Sequence, residues 1–186
     1  MSLEKVNRIL ARNEKIAMLT CYDASFAKLS EAAGVDVLLV GDSLGMVLQG
    51  AENTLGVTLQ DMAYHTHSVK SGTTDCCVMT DMPAGSYEDN LDAALDNAKK
   101  LIAAGADMVK IEGGGAMVKT AQHLIEHGIP VCAHLGFTPQ SVNQLGGYRI
   151  QGKTEEAAQK IMQDAMSMSE AGVHFILLEM VPAALA

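Results

Sequence analysis

The sequence predicts an α/β protein built around a buried parallel sheet, because short apolar runs recur, helical stretches alternate with them, and the junction from helix into strand repeats. The runs Ile16–Thr20, Asp36–Val40, Asp75–Thr80, Asp107–Ile111, Ile129–Ala133 and Val173–Leu178 are apolar with little alternation. That is the pattern of strands covered on both faces. Between them, Ser25–Ala33, Leu59–Ser71, Asn90–Ala104, Ala116–His127 and Thr154–Ala171 place apolar residues three and four apart, along one face of a helix. Ala33-Gly34-Val35-Asp36, Ala104-Gly105-Ala106-Asp107 and Ala171-Gly172-Val173-His174 each close a helix and open a strand, with glycine where a left-handed cap is needed. The copies lie about two β/α units apart, at ~30 residues per unit, which fits a β/α barrel or a doubly wound sheet.

The 186 residues suffice to bury roughly 70% of the unfolded surface in one core, so a single domain over 1–186 is expected. Hydrophobic residues at 48% against 19% charged fit a soluble sheet wrapped in helices and exclude a disordered or fibrous chain. A net charge of -9 disfavours nucleic acid and points to a small-molecule ligand. Cys21, Cys76, Cys77 and Cys132 lack CxxC spacing and sit in or beside apolar runs, as reduced buried thiols do. The opening MSLEKVNRILARNEK is broken by charges, and no stretch approaches the ~20 apolar residues of a membrane span. Cytoplasmic residence without a membrane partner is the expectation.

Two long connections, Gly41–Thr58 and Gly136–Lys153, follow strand C-termini, the end of a parallel sheet that carries active sites. Polar residues gather at the same rim: Asp23, Asp42, Asp81, Glu112, His134 and Glu179 each fall just past one of the six strands. Asp23 by itself reads as a helix cap. Asp42, Asp81 and Glu112 on neighbouring strands supply hard oxygen ligands in a number suited to Mg²⁺, which keeps water or substrate oxygens in its other positions. Lys110, two residues before Glu112, shares its strand face and is placed to hold a substrate carboxylate or carbonyl, or to pair with Asp81 or Glu112. Glu179 leaves the apolar run Phe175–Leu178, and such surroundings are expected to raise its pKa, the direction a general base or acid needs. Neither GxGxxG nor GxxxxGK[ST] occurs, Gly113-Gly114-Gly115 reads as a nest or a tight turn, and His65 and His67 read as solvated on different helix faces.

The blocks Val40-Gly41-Asp42-Ser43-Leu44-Gly45-Met46, Asp61-Met62-Ala63-Tyr64-His65-Thr66, Val109-Lys110-Ile111-Glu112-Gly113-Gly114 and His134-Leu135-Gly136-Phe137-Thr138-Pro139-Gln140-Ser141-Val142-Asn143 closely resemble the 3-methyl-2-oxobutanoate (ketopantoate) hydroxymethyltransferase family. With Gly146-Gly147-Tyr148 and Gln151-Gly152-Lys153, the similarity runs from about Ile16 to the C-terminus. The resemblance implies a TIM (β/α)8 barrel of the phosphoenolpyruvate-utilising superfamily, typically assembled as a large homo-oligomer. It implies transfer of a one-carbon unit from 5,10-methylenetetrahydrofolate to 3-methyl-2-oxobutanoate through a Mg²⁺-stabilised enolate, giving 2-dehydropantoate for pantothenate synthesis. By that pattern Asp42, Asp81 and Glu112 form the magnesium site, Asp42, Ser43, Asp81 and Lys110 contact the keto acid, and Glu179 accepts the proton. Cys21 stands where the family usually has Ala, Gly56 where it has Pro, and Ala84 where it has Phe. A full barrel takes ~250 residues and eight strands, so only about six β/α units are expected here, with truncation before strands 7 and 8. An inactive remnant or interaction module, and a related metal-enolate C–C lyase, are the competing readings.

Overall fold

A computed structural model describes residues 2–186, and Met1, the first residue of the expected domain, lies outside the described residues. Its strands are β1 (Met18–Thr20), β2 (Val37–Val40), β3 (Cys77–Asp81), β4 (Met108–Glu112), β5 (Val131–Gly136) and β6 (Phe175–Glu179). They form one parallel sheet in the order β1-β2-β3-β4-β5-β6, each strand beside its predecessor. Helices α2 (Ala24–Ala32), α4 (Leu59–Lys70), α5 (Leu91–Ala104), α6 (Met117–Glu126) and α7 (Glu155–Glu170) make the crossovers, with a short α3 (Leu44–Val47) in the long loop after β2. Sequential order of parallel strands with helices between them is the barrel progression rather than the doubly wound one, in which the order reverses. The sheet curls as part of a barrel. Among the described residues β1 and β6 each have one strand neighbour.

Alternation along each strand produces two apolar layers. Leu38, Val40, Val78, Val109, Ile111, Val131 and Ala133 face outward and pack with Met62, Leu101 and Leu124 of the helices. Val37, Cys77, Met79, Met108 and Cys132 face inward. A helix not anticipated from the sequence, α1 (Ser2–Ala11), fills this inner space at the N-terminal ends of the strands, burying Val6 completely. All four cysteines are buried free thiols.

Helix starts follow local chemistry. The side chains of Asp23, Asn90 and Thr154 each accept backbone N–H bonds as N-caps, and Thr58 with Asp61 forms a reciprocal capping box. The repeated glycines Gly34, Gly105 and Gly172 take φ of 89°, 115° and 89°, as the cap reading requires. The aspartates that follow two of them tie down a neighbouring strand: Ala17 N–H donates to Asp36 at 3.0 Å, and Val78 N–H to Asp107 at 2.9 Å. These bonds explain why β2 and β4 begin after their aspartates rather than at them.

Candidate active site

The C-terminal ends of the strands bring Asp42, Asp81, Lys110, Glu112 and His134 together, each no more than 6% exposed. Asp81, Glu112 and Glu179 are the last residues of their strands and His134 lies within β5, one step earlier than the sequence reading put them. Register does the gathering: Asp81 pairs with Lys110, Glu112 with His134, and Gly136 with Glu179. Lys110 and Glu112 share the inner face. Lys110 Nζ stands 3.0 Å from Asp81 Oδ1 and 3.1 Å from His134 Nδ1. Burial opposes its charge, but Asp81 and Glu112 outweigh that and hold its pKa above the ordinary lysine value, so it remains an ammonium. Burial and then Asp81 push Asp42 up to about 7, and burial raises Asp81 against the pull of Lys110.

Glu179 corrects an expectation. Its pKa is lowered, not raised, first through the contact of its Oε2 with His134 Nε2 at 3.2 Å, which outweighs partial burial. Its side chain is 42% exposed, so the apolar run before it does not desolvate the carboxylate enough to raise its pKa. His134 itself is raised: burial and Lys110 oppose its proton, while Glu112, with Oε1 3.5 Å from Nδ1, and Glu179 favour it. Met180, directly after Glu179, takes the left-handed φ of 47°, a strained value for a residue with a side chain, and its carbonyl accepts from Gln151 N–H at 2.8 Å.

Three contributors carried no signal of their own. Tyr22 OH meets Ser43 Oγ at 2.8 Å and fixes that side chain at the pocket wall. Gln140 bonds to both Asp42 and Glu112, and Tyr87 bonds to Gln140 and to the Glu112 N–H. Asp23 is committed to capping α2. His65 lies partly buried with Nδ1 2.8 Å from the Tyr22 carbonyl oxygen, so only His67 fits the solvated reading. The Gly113–Gly115 turn is anchored to α7 by Gly115 N–H donating to Asp164 Oδ1 at 3.1 Å, the turn alternative rather than the open nest.

The enclosed space is a cavity of about 260 Å³ whose lining includes Asp42, Ser43, Asp81, Lys110, Glu112, His134, Tyr148 and Glu179. Every site residue expected from the sequence therefore faces one pocket, of a size for a small acid. The pattern of the family described as ketopantoate hydroxymethyltransferase matches residues 1–186. The chain belongs to that family. It is 57% identical over 186 residues to the 3-methyl-2-oxobutanoate hydroxymethyltransferase of Azoarcus sp. (strain BH72), covering 100% of this chain and 69% of the relative. It is 59% identical over 173 residues to that of Nitrosospira multiformis, covering 93% of this chain and 66% of the relative. Among solved structures, phosphonopyruvate hydrolase in complex with oxalate and Mg²⁺ matches with a TM-score of 0.74 at 13% identity, over 96% of this chain and 63% of that one. A 2,3-dimethylmalate lyase of the PEP mutase/isocitrate lyase superfamily matches with a TM-score of 0.68 at 17% identity, over 96% and 61%. The chain thus spans less than two thirds of these solved structures, and the likeness shows its fold alone, part of a (β/α) barrel.

The donor set suits the divalent cation expected of the ketopantoate hydroxymethyltransferase family. Asp81 Oδ1 and Glu112 Oε1 are buried acceptors without an aligned hydrogen-bond donor, and Asp42 is pushed toward protonation by burial and by Asp81. A cation would satisfy all three conditions at once. Among the described residues no three His, Cys, Asp or Glu side chains converge closely enough to form a closed ligand cage. Mg²⁺ does not require such a cage: it is held by few carboxylates, directly or through water, and completes its shell with water and substrate oxygens. None of the described helices is long and apolar enough to cross a membrane.

Proposed function

We propose that this chain carries out the transfer named for its relatives, in which 3-methyl-2-oxobutanoate gains the one-carbon unit of 5,10-methylenetetrahydrofolate and becomes 2-dehydropantoate. The observation that carries this reading is the pairing of an ionised carboxylate with a buried cation in one small pocket: Glu179 is held ionised beside His134, and Lys110 stays charged on the floor. Lys110 and Ser43 bind and orient the keto acid through its carboxylate and carbonyl. Asp42, Asp81 and Glu112 would hold Mg²⁺, directly or through water, and it would supply Lewis-acid polarisation of those same oxygens. Glu179 Oε takes the C3 proton, and His134 holds that carboxylate in place. The C3 carbanion left by that deprotonation forms the new C–C bond to the one-carbon unit, while both C–N bonds to the folate break, water supplies the hydroxyl oxygen and tetrahydrofolate leaves. Buried Lys110 offers a fixed charge with little reorganisation. Tyr148, packed on Phe137 with ring centroids 4.9 Å apart, walls the pocket from solvent. Residence in the cytoplasm, where buried thiols stay reduced, and assembly as a homo-oligomer belong to the same reading.

The test is exchange of the C3 hydrogen of 3-methyl-2-oxobutanoate into deuterated water with Mg²⁺ and without folate, followed by mass spectrometry. Metal-dependent exchange supports the reading. Folded, metal-loaded protein that leaves the C3 hydrogen in place refutes it, and product formation only when methylenetetrahydrofolate is added separates transfer from C–C lyase chemistry.

A further inference from the structure

Gln140, in the single-turn helix Pro139–Ser141 after β5, makes polar contacts that reach three other strand ends. Its amide Nε2 donates to Asp42 Oδ2 at 2.8 Å and to the Met82 carbonyl oxygen at 2.9 Å, and its backbone N–H donates to Glu112 Oε2 at 2.9 Å. Its Oε1 accepts from Tyr87 OH at 2.7 Å, and Tyr87 OH accepts from the Glu112 N–H at 3.0 Å. Every direction in this circuit is forced. The Glu112 N–H can only donate, so the Tyr87 proton must point to Gln140. A carbonyl can only accept, so the amide nitrogen of Gln140, not its oxygen, must face Met82 and Asp42. Tyr87 is 2% exposed and cannot trade these partners for water.

We infer that Gln140 and Tyr87 form a positioning clamp that holds Asp42 and Glu112 in register with each other and thereby sets the affinity of the pocket for a divalent cation. The inference rests on the metal reading above. Gln140 joins two carboxylates at different strand ends, through its side-chain amide to Asp42 and its backbone N–H to Glu112, so one residue sets the spacing of the ligands. With one carboxylate oxygen of each residue occupied by Gln140, the other is left for the ion. Hydrogen-bonded partners of metal-ligating groups typically change affinity by about 10- to 100-fold when removed.

Mn²⁺ binding, read by electron paramagnetic resonance on the whole chain, tests this. Gln140→Met keeps the bulk of the side chain and its backbone bond to Glu112 while deleting the amide. Tyr87→Phe keeps the buried ring, so the test survives if the first variant does not fold. The expected result is a loss of Mn²⁺ affinity of about 10- to 100-fold for Gln140→Met and a loss in the same direction for Tyr87→Phe. Thermal unfolding of the metal-free variants should stay close to that of the unaltered chain, and raising the metal concentration should restore C3 exchange, a rescue that a folding defect would not show. Unaltered protein that binds Mn²⁺, with both variants within twofold of it, overturns the clamp alone. Unaltered protein that binds no Mn²⁺ overturns the metal site and the clamp with it.

Discussion

Glu179 shows how far a residue's chemistry depends on a single contact. Its sequence neighbours are apolar, yet His134 at 3.2 Å lowers its pKa. It is therefore ionised across the neutral range, as a proton acceptor must be. Glu179→Gln should slow C3 exchange by about 10²- to 10⁴-fold while leaving Mn²⁺ binding intact, since its proposed role is that of a base rather than a ligand. His134→Leu should move the acidic limb of the exchange rate to higher pH, because Glu179 then loses what lowers its pKa. Asp42 gives the opposite sign. Its folded pKa of about 7 exceeds its ordinary 3.8, so its contribution to stability is complete below 3.8 and is lost as pH rises through about 7. By that shift the metal-free chain should lose up to roughly 4 kcal/mol between pH 4 and pH 8. At the proposed metal site Mg²⁺ would bind the ionised carboxylates, so the rise in melting temperature it gives should be larger at pH 8 than at pH 5.

At the scale of elements, the strand ends are placed by backbone features that tolerate little change. Gly136 closes β5 with a φ of 89°, and a Cβ there would overlap the Glu179 carbonyl oxygen. That carbonyl accepts from Phe137 N–H at 2.8 Å, so the close approach joins β6 to the start of the loop carrying Gln140. Gly136→Ala should destabilise the fold by about 2 kcal/mol or more in urea unfolding and slow C3 exchange, through strain at the αL position as well as the clash. By contrast, Asn90→Ala, which removes the side-chain bond to Ala93 N–H at the start of α5, should cost about 1 kcal/mol and leave the exchange rate unchanged. The helices and strands were legible because apolar periodicity and caps are local. The α1 plug was not, although Leu3, Val6 and Ile9 recur at helical spacing, because the charges between them read equally well as an exposed segment.

For the whole molecule, the curled sheet has a polar end and an apolar interior. Behind the polar pocket lies a second cavity of about 340 Å³, lined by Leu10, Ile16, Met18, Val37, Met79, Cys132, Phe175, Ile176 and Leu177. Leu19 of β1 is 52% exposed on a strand with one described neighbour. Apolar strand edges of this kind pair with other chains unless charged or covered. The chain of residues 1–186 should therefore self-associate at micromolar concentration in sedimentation velocity, and Leu19→Lys should shift it toward monomer without altering Mn²⁺ binding, since Leu19 is not among the residues that line the proposed metal pocket.

The sequence by itself determined the alternation of strand and helix, the caps, and the delivery of Asp42, Asp81, Lys110, Glu112 and Glu179 to one rim, because side-chain direction along a strand follows from its period of two. It also carried the family resemblance. Only the tertiary structure decided which of these groups meet. The stagger that sets Asp81 against Lys110 and Glu112 against His134 is a relation between strands distant in the chain. Charge interactions depend on those through-space distances and on burial, so the lowered pKa of Glu179, the raised pKa of Asp42 and the clamp made by Gln140 and Tyr87 had no counterpart in local pattern.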